Sequence, residues 1–188
     1  MTSIPTPDWL ISDTHFYHGN IRKYYPWRQD WSEGTSDMNR NLIAAWNTVV
    51  SPTDVVLHLG DFAFANRTKT KALRDKLNGT IILVRGNHDL NTKALKDVGF
   101  DDVYVTVDFT YLNKTYVVRH SPHDFTLDDT KRASVLLHGH LHGSGTYTMS
   151  IPEVNAAVKS RRCIDLSLDA IRSTRPVTME EVKELHGN

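Results

Sequence analysis

The chain has 188 residues, a length that fits one domain spanning 1–188 with a sizeable core. Hydrophobic residues make up 39% and charged residues 23%, the composition of an ordinary soluble globular protein. Lys+Arg and Asp+Glu balance at 22 each, so net charge gives no case for bulk nucleic-acid or membrane binding, and the single cysteine, Cys163, excludes an internal disulfide.

No basic-then-apolar leader opens the chain, and no apolar run is long enough to span a bilayer. A cytoplasmic protein with no membrane partner is the expectation.

Trp9–Ser12 reads as a short apolar strand running into Asp13-Thr14-His15. Side chains two apart on a strand share a face, so Asp13 and His15 could grip one ion together. Phe16 to Gly34 reads as a loop rich in aromatics, a substrate wall or packing over the core rim. His18, Asn20 and Arg22 are its candidate substrate contacts, with Arg22 as a phosphate clamp. Ser36 can cap a helix with Asp37 in its first turn; Met38, Leu42, Ala45, Trp46, Val49 and Val50 form its apolar face.

Val55–Leu59 reads as a buried strand that Gly60 breaks. Asp61 then stands at the strand's carboxyl end, where α/β proteins commonly place their sites, and its two oxygens could bridge two ions. Asn66 is placed to cap a basic helix to about Asn78, with Gly79 as its stop. Thr80–Arg85 is a second buried strand, ending in Gly86-Asn87-His88-Asp89, and Asn91 caps a short helix stopped by Gly99.

From Asp102 the period changes to strands: Val103–Val107, Phe109–Leu112 and Thr115–Arg119, with a hairpin turn at Asn113-Lys114. The last of them ends in His120. Ser134–Leu137 is a strand ending in His138-Gly139-His140-Leu141-His142-Gly143. Thr146–Met149 and Arg162–Leu168 read as further strands, and Ile151–Arg161 as loop. Thr178 and Glu181 make a capping box for a last helix ending near His186.

The unusual count is ten histidines, most of them beside Gly, Asp, Asn or Pro just past an apolar run. Five strand ends carry candidate ligands: Asp13/His15, Asp61, Asn87, His120 and His140/His142. Imidazole and oxygen donors without sulfur suit Mn²⁺, Fe, Zn²⁺, Ni²⁺ or Co²⁺ and disfavour a cysteine-type structural zinc. His58 and His138 read as packing or support, and His123 as an exposed rim residue.

Together, Asp13-x-His15, Gly60-Asp61, Gly86-Asn87-His88-Asp89, His120 and Gly139-His140-x-His142 resemble the calcineurin-like metallophosphoesterases. The stretches Asp13–Asn20 and Met38–Asp61 are similar to the small bacterial and phage members. The resemblance implies an α/β fold, a four-layer α-β-β-α sandwich with two divalent metal ions at the strand ends. Asp13, His15, Asp61 and His142 would hold one ion. Asp61, Asn87, His120 and His140 would hold the other, with Mn²⁺ favoured. His88, outside both sets, would serve as general acid to the leaving oxygen or as hydrogen-bond donor to a phosphate oxygen, oriented by Asp89.

The implied reaction is hydrolysis of small phosphate diesters, cyclic nucleotides among them, by a metal-bridging hydroxide. The alternatives are a phosphomonoesterase, a nuclease, or a metal-stabilised binding module. The protein-phosphatase branch extends Gly-Asp with an Asp and an Arg-Gly, whereas Phe62-Ala63-Phe64-Ala65 follows here, and its fourth motif ends in Glu where this chain has Asp89.

Overall fold

The computed structural model describes residues 2–144 and 148–187. Its strands in chain order are β1 (Thr2–Ser3), β2 (Trp9–Ile11), β3 (Val55–His58), β4 (Thr80–Val84), β5 (Asp102–Tyr104), β6 (Thr106–Tyr111), β7 (Lys114–Arg119), β8 (Val135–His138) and β9 (Cys163–Asp165). Its helices are α1 (Ile21–Tyr24), α2 (Thr35–Val49), α3 (Arg67–Arg74), α4 (Thr92–Asp97), α5 (Leu127–Arg132), α6 (Pro152–Lys159), α7 (Leu168–Ile171) and α8 (Met179–Gly187).

The strands form two sheets. One is all parallel, in the order β2-β3-β4-β5. The other runs β1-β6-β7-β8-β9, parallel except for the β6–β7 hairpin. A parallel strand covered on both faces is apolar nearly throughout, and the apolar side chains of β3, β4, β7 and β8 sort by parity into three cores. Val56, Ile81 and Leu83 face the helices of the first sheet, packing with Met38, Leu42 and Trp46 of α2 and Leu95 of α4. Leu57, Ile82 and Val84 point the other way and meet Val107, Tyr116, Val118, Val135 and Leu137 between the sheets. Val117 and Leu136 face outward again, against Phe125, Val154 and Ala157. Three separate cores make four layers, so the α-β-β-α sandwich is what the strand patterning builds. Truncating Leu57, wholly buried at the centre, to Ala would cost about 2–5 kcal/mol.

Several local readings are corrected. Val103–Val107 is not one strand. The chain leaves the first sheet after Tyr104, exposes Val105 at 61%, and enters the second sheet at Thr106. A run of Val, Tyr and Thr with no Gly or Pro carries no mark of a change of partner. Ile151–Arg161 holds α6, with Pro152 in its first turn and Val154 and Ala157 buried three apart. The aromatic loop contains α1 and a 3₁₀ turn, Pro26–Gln29. α2 starts from Gly34 without a side-chain cap, and α3 ends at Arg74. The positive-φ pair of the β6–β7 turn is Leu112-Asn113, one residue earlier than expected. Of the strand expected over Thr146–Met149, Thr146 and Tyr147 lie outside the described residues, and Thr148 and Met149 are not strand.

The caps at Asn66 and Asn91 form as expected, accepting from the amides of Lys69 and Ala94. The Thr178/Glu181 box also forms. Among the described residues no helix is long and apolar enough to cross a membrane.

Candidate metal centre

β2, β3, β4, β7 and β8 all deliver their carboxyl ends to one edge of the sandwich, and the loops that follow carry the polar motifs. These loops turn on unusual backbone. Asp13, His15, Asp61, His140 and His142 all have left-handed φ, between 49° and 71°, a conformation that costs non-glycine residues energy and clusters at functional sites. Asp13 and His15 thus converge by curling, not by sharing the face of a strand.

The motif glycines are required by close approach. A Cβ on Gly139 would fall 2.1 Å from Asp13 Oδ2, and one on Gly86 would fall 2.2 Å from Asp61 Oδ1. The two acidic side chains lie directly over these bare backbones. Gly60 has φ +106° and lets β3 break off under His120.

Two groups result. Asp13, His15 and His142 each offer one atom within 4.8 Å of the others, and so do Asp61, His120 and His140. His142 Nε2 lies 3.3 Å from Asp13 Oδ1. Asp61 Oδ2 lies 3.4 Å from His120 Nε2 and 3.7 Å from His15 Nε2, so one oxygen faces both groups. Asn87 joins the second group, its Oδ1 standing 3.1 Å from His120 Nε2.

Two of the imidazoles are oriented from behind, whereas His15 Nδ1 is buried without a hydrogen bond. His120 Nδ1 donates to the Leu59 carbonyl at 2.9 Å, and His142 Nδ1 donates to Asp169 Oδ2 at 2.5 Å, leaving each Nε2 aimed at the carboxylates. Asp13 Oδ2 accepts from Ser12 and from the His140 amide, while its Oδ1 is buried and has no hydrogen bond. An orphaned buried carboxylate oxygen set against pre-oriented imidazole nitrogens, with no sulfur near, fits a hard-to-borderline divalent cation.

Burial opposes charge in the centre; at His140 it prevails and lowers the pKa, but at Asp13, His120 and His142 the opposed signs outweigh it. His142 and His15 hold Asp13 well below the usual carboxylate range. Asp61 and Asp13 push His120 up to about 9, and Asp13 and Asp169 push His142 up to about 9. Protons thus compete for the same nitrogens that a cation would take.

His88 extends past this centre, its side chain 41% exposed and its Nε2 4.0 Å from Asp61 Oδ2, while its amide donates to Asp61 Oδ1. Asp89 does not orient it. The Asp89 carboxylate accepts from the amides of Asp61, Phe62 and Gly86 and so clamps the loops after β3 and β4 together. Burial raises its pKa nonetheless, helped by the negative Asp61 and opposed by the amides.

His18 is brought beside the centre, its ring 5.5 Å from that of His15 and 6.5 Å from that of His88. Asn20 is exposed at the start of α1. Arg22 commits its Nε and one Nη to Ser32, so the phosphate-clamp expectation does not fit its placement. His58 and His138 are fully buried, and His123 is exposed. His58 accepts the Gly60 amide on Nδ1 and donates from Nε2 to Thr14 Oγ, tying the β2 and β3 loops.

Two functional residues escaped the sequence reading. Asp169, at the start of α7, receives His142, and Arg28, 0% exposed, holds that carboxylate with Nε at 2.9 Å and Nη2 at 2.7 Å. Arg28 also donates to the carbonyls of Asp13 and Thr14. Burial would raise the Asp169 pKa, yet Arg28 and His142 bring it down to about 2. A partial signal existed: in the sequence Asp169 follows the run Arg162–Leu168 that reads as a strand, although β9 itself ends at Asp165.

Such a fold, with its polar strand ends on one edge, is that of a metal-using phosphoesterase. Residues 9–156 match the calcineurin-like phosphoesterase superfamily domain, and the chain belongs to that superfamily of phosphoric ester hydrolases, whose members use divalent metals. An uncharacterized protein of Methanocaldococcus jannaschii is 32% identical over 180 residues, covering 94% of this chain and 89% of its own. A solved structure of a protein of unknown function from Aquifex aeolicus shares the fold, with a TM-score of 0.69 at 24% identity, over 94% of this chain and 97% of that one. The family match spans every motif from Asp13 to His142 and stops short of Asp169.

Proposed function

We propose that the chain is a phosphodiesterase that works with two divalent ions on small phosphate diesters, cyclic nucleotides among them, as one catalytic unit over its 188 residues. Asp13, His15, Asp61 and His142 would hold one ion, and Asp61, Asn87, His120 and His140 the other. Mn²⁺ stands first among Mn²⁺, Fe, Zn²⁺, Ni²⁺ and Co²⁺ for such a nitrogen and oxygen set. When bound, the pair supplies positive charge to the phosphoryl oxygens and a water activated at neutral pH.

The observation that carries the reading is Asp61 Oδ2, which faces a nitrogen of each group at 3.4 and 3.7 Å. The chain's own residues do the remaining work. Asp89 fixes the Asp61 and His88 loops relative to each other, and His88 reaches into the solvent side to donate a proton to the leaving oxygen or to hold a phosphate oxygen. A monoester dianion would benefit from an arginine clamp beyond the metals. Phe62-Ala63-Phe64-Ala65 offers none after Gly60-Asp61, and a diester monoanion needs less neutralisation.

The test strips the protein of metal and adds back Mn²⁺, Zn²⁺, Ni²⁺ or Mg²⁺ with bis(p-nitrophenyl) phosphate and p-nitrophenyl phosphate. The expected result is a higher kcat/KM for the diester with Mn²⁺. A better monoester rate would make this a phosphomonoesterase. Hydrolysis of neither with any metal would leave a metal-stabilised binding module.

A further inference from the structure

Beside the metal centre lies a cleft of about 530 Å³, a size typical of small-molecule sites, walled by Tyr25, Trp27, His142, Asp169 and Arg172 with Asp30 on its rim. The Tyr25 ring stacks on His142 at 4.3 Å, so the cleft opens directly from a candidate metal ligand. At its other end Arg172 lies over the Trp27 ring, 5.7 Å from its centroid. Arg172 is exposed, yet its backbone is held in the left-handed region at φ 52°, in the turn that ends α7. Its guanidinium has no hydrogen bond or ion pair among the described residues. Asp169, the other carboxylate here, is already matched by Arg28.

An arginine aimed by strained backbone and an aromatic face, and not engaged by a carboxylate, is suited to an anionic ligand. It does not stand at the reacting phosphate. Arg172 touches Trp27, the Trp27 indole donates to Asp169, and Asp169 receives His142. Two side chains therefore separate Arg172 from the nearest candidate ligand, the Trp27 ring and the Asp169 carboxylate, the latter already held by Arg28 and His142.

We propose that this cleft is a specificity site for phosphoesters carrying a second anionic group, with a planar ring between that group and the reacting phosphate. The ring would lie along Tyr25 and Trp27, and Arg172 would bind the remote anion. The reaction-side half of this inference rests on the phosphoesterase reading; the anion site does not.

Phenylphosphonate and 1,4-phenylenebisphosphonate test it, because they share one ring, differ only by the remote anion, and have P–C bonds that a phosphoesterase leaves intact. Calorimetric titration of the Mn²⁺-loaded protein should show the bisphosphonate binding about tenfold or more tighter than the monophosphonate. Arg172→Gln should erase that difference while the melting temperature stays within a degree or two. Asp30→Asn, which removes the one rim carboxylate, should widen it. Equal affinities in the wild type, or an unchanged ratio in Arg172→Gln, would overturn the proposal. If the wild type hydrolyses no ester but the ratio behaves as expected, the phosphoesterase reading falls and the anion site stands.

Discussion

His142 gives its Nδ1 proton to Asp169 at 2.5 Å, and Arg28 grips the same carboxylate from within the core. The pair joins the last motif to a part of the chain beyond the family match. A carboxylate behind a metal-binding imidazole fixes its orientation, and losing one typically costs 10–100-fold in metal affinity. Asp169→Asn should weaken metal binding by about that much while the Asp61–His120 group keeps its ion. It also leaves Arg28 buried without a counter-charge, so the metal-free protein should melt markedly lower. Calorimetric metal titration beside a melting curve separates the two effects, and unchanged affinity for both ions would remove Asp169 from the site.

Asp61 and His142 differ in what their loss should do. Asp61 Oδ2 faces both groups, whereas His142 belongs to one. Asp61→Ala should lose both ions, and His142→Ala should mainly weaken one. Metal content of the purified variants, counted per chain, decides the matter. Two tightly held ions in Asp61→Ala would end the bridging assignment.

His58 sets an acid limit on stability. Burial drives its pKa from the ordinary 6.5 down to about 3, so the folded protein keeps it neutral while the unfolded chain can protonate it. The stability from this difference is complete above pH 6.5 and is lost as pH falls toward 3, an upper bound of roughly 4–5 kcal/mol. His58→Gln should be less stable than wild type at pH 7, having lost the ties to Thr14 and the Gly60 amide. The gap should narrow steadily between pH 6.5 and 4. Urea denaturation across that range is the measurement, and a gap independent of pH would mean that His58 titrates normally.

The central strands and the ligand motifs were legible because each depends on local pattern, whereas the four layers came with the family resemblance. The short, β-branched and mostly apolar runs at Val55–Leu59 and Thr80–Val84, each bounded by glycine, read as strands covered on both faces. The tips carry His, Asp or Asn beside glycines that a neighbouring carboxylate requires bare. What stayed hidden depends on distance in the chain or on backbone that no residue type announces. Asp169 is 27 residues from His142, and Arg28 looks like one more loop cation until the fold buries it. The left-handed turns at Asp13, His15 and His142 are made by non-glycine residues. Arg22 was the natural clamp by proximity to the first motif, but Ser32 takes its guanidinium, and the arginine that lines the cleft beside the centre, Arg172, lies near the far end of the chain.

His88 allows chemistry to be separated from metal binding. Its amide ties the loop to Asp61 Oδ1, but its imidazole belongs to neither ligand group and is 41% exposed between Phe64 and His18, at ring distances of 5.6 and 6.5 Å. His88→Ala keeps the amide and should keep the fold and both ions. Turnover should fall by roughly 10²–10⁴, the usual contribution of a positioned proton donor. A donor matters most where the leaving oxygen is basic. Alkyl esters should therefore suffer more than nitrophenyl esters, whose leaving group departs without a proton. Steady-state kinetics on both kinds of ester, with metal content measured on the same samples, reads this out. Equal losses for good and poor leaving groups would assign His88 to holding a phosphate oxygen instead, and a loss of metal would place it among the ligands.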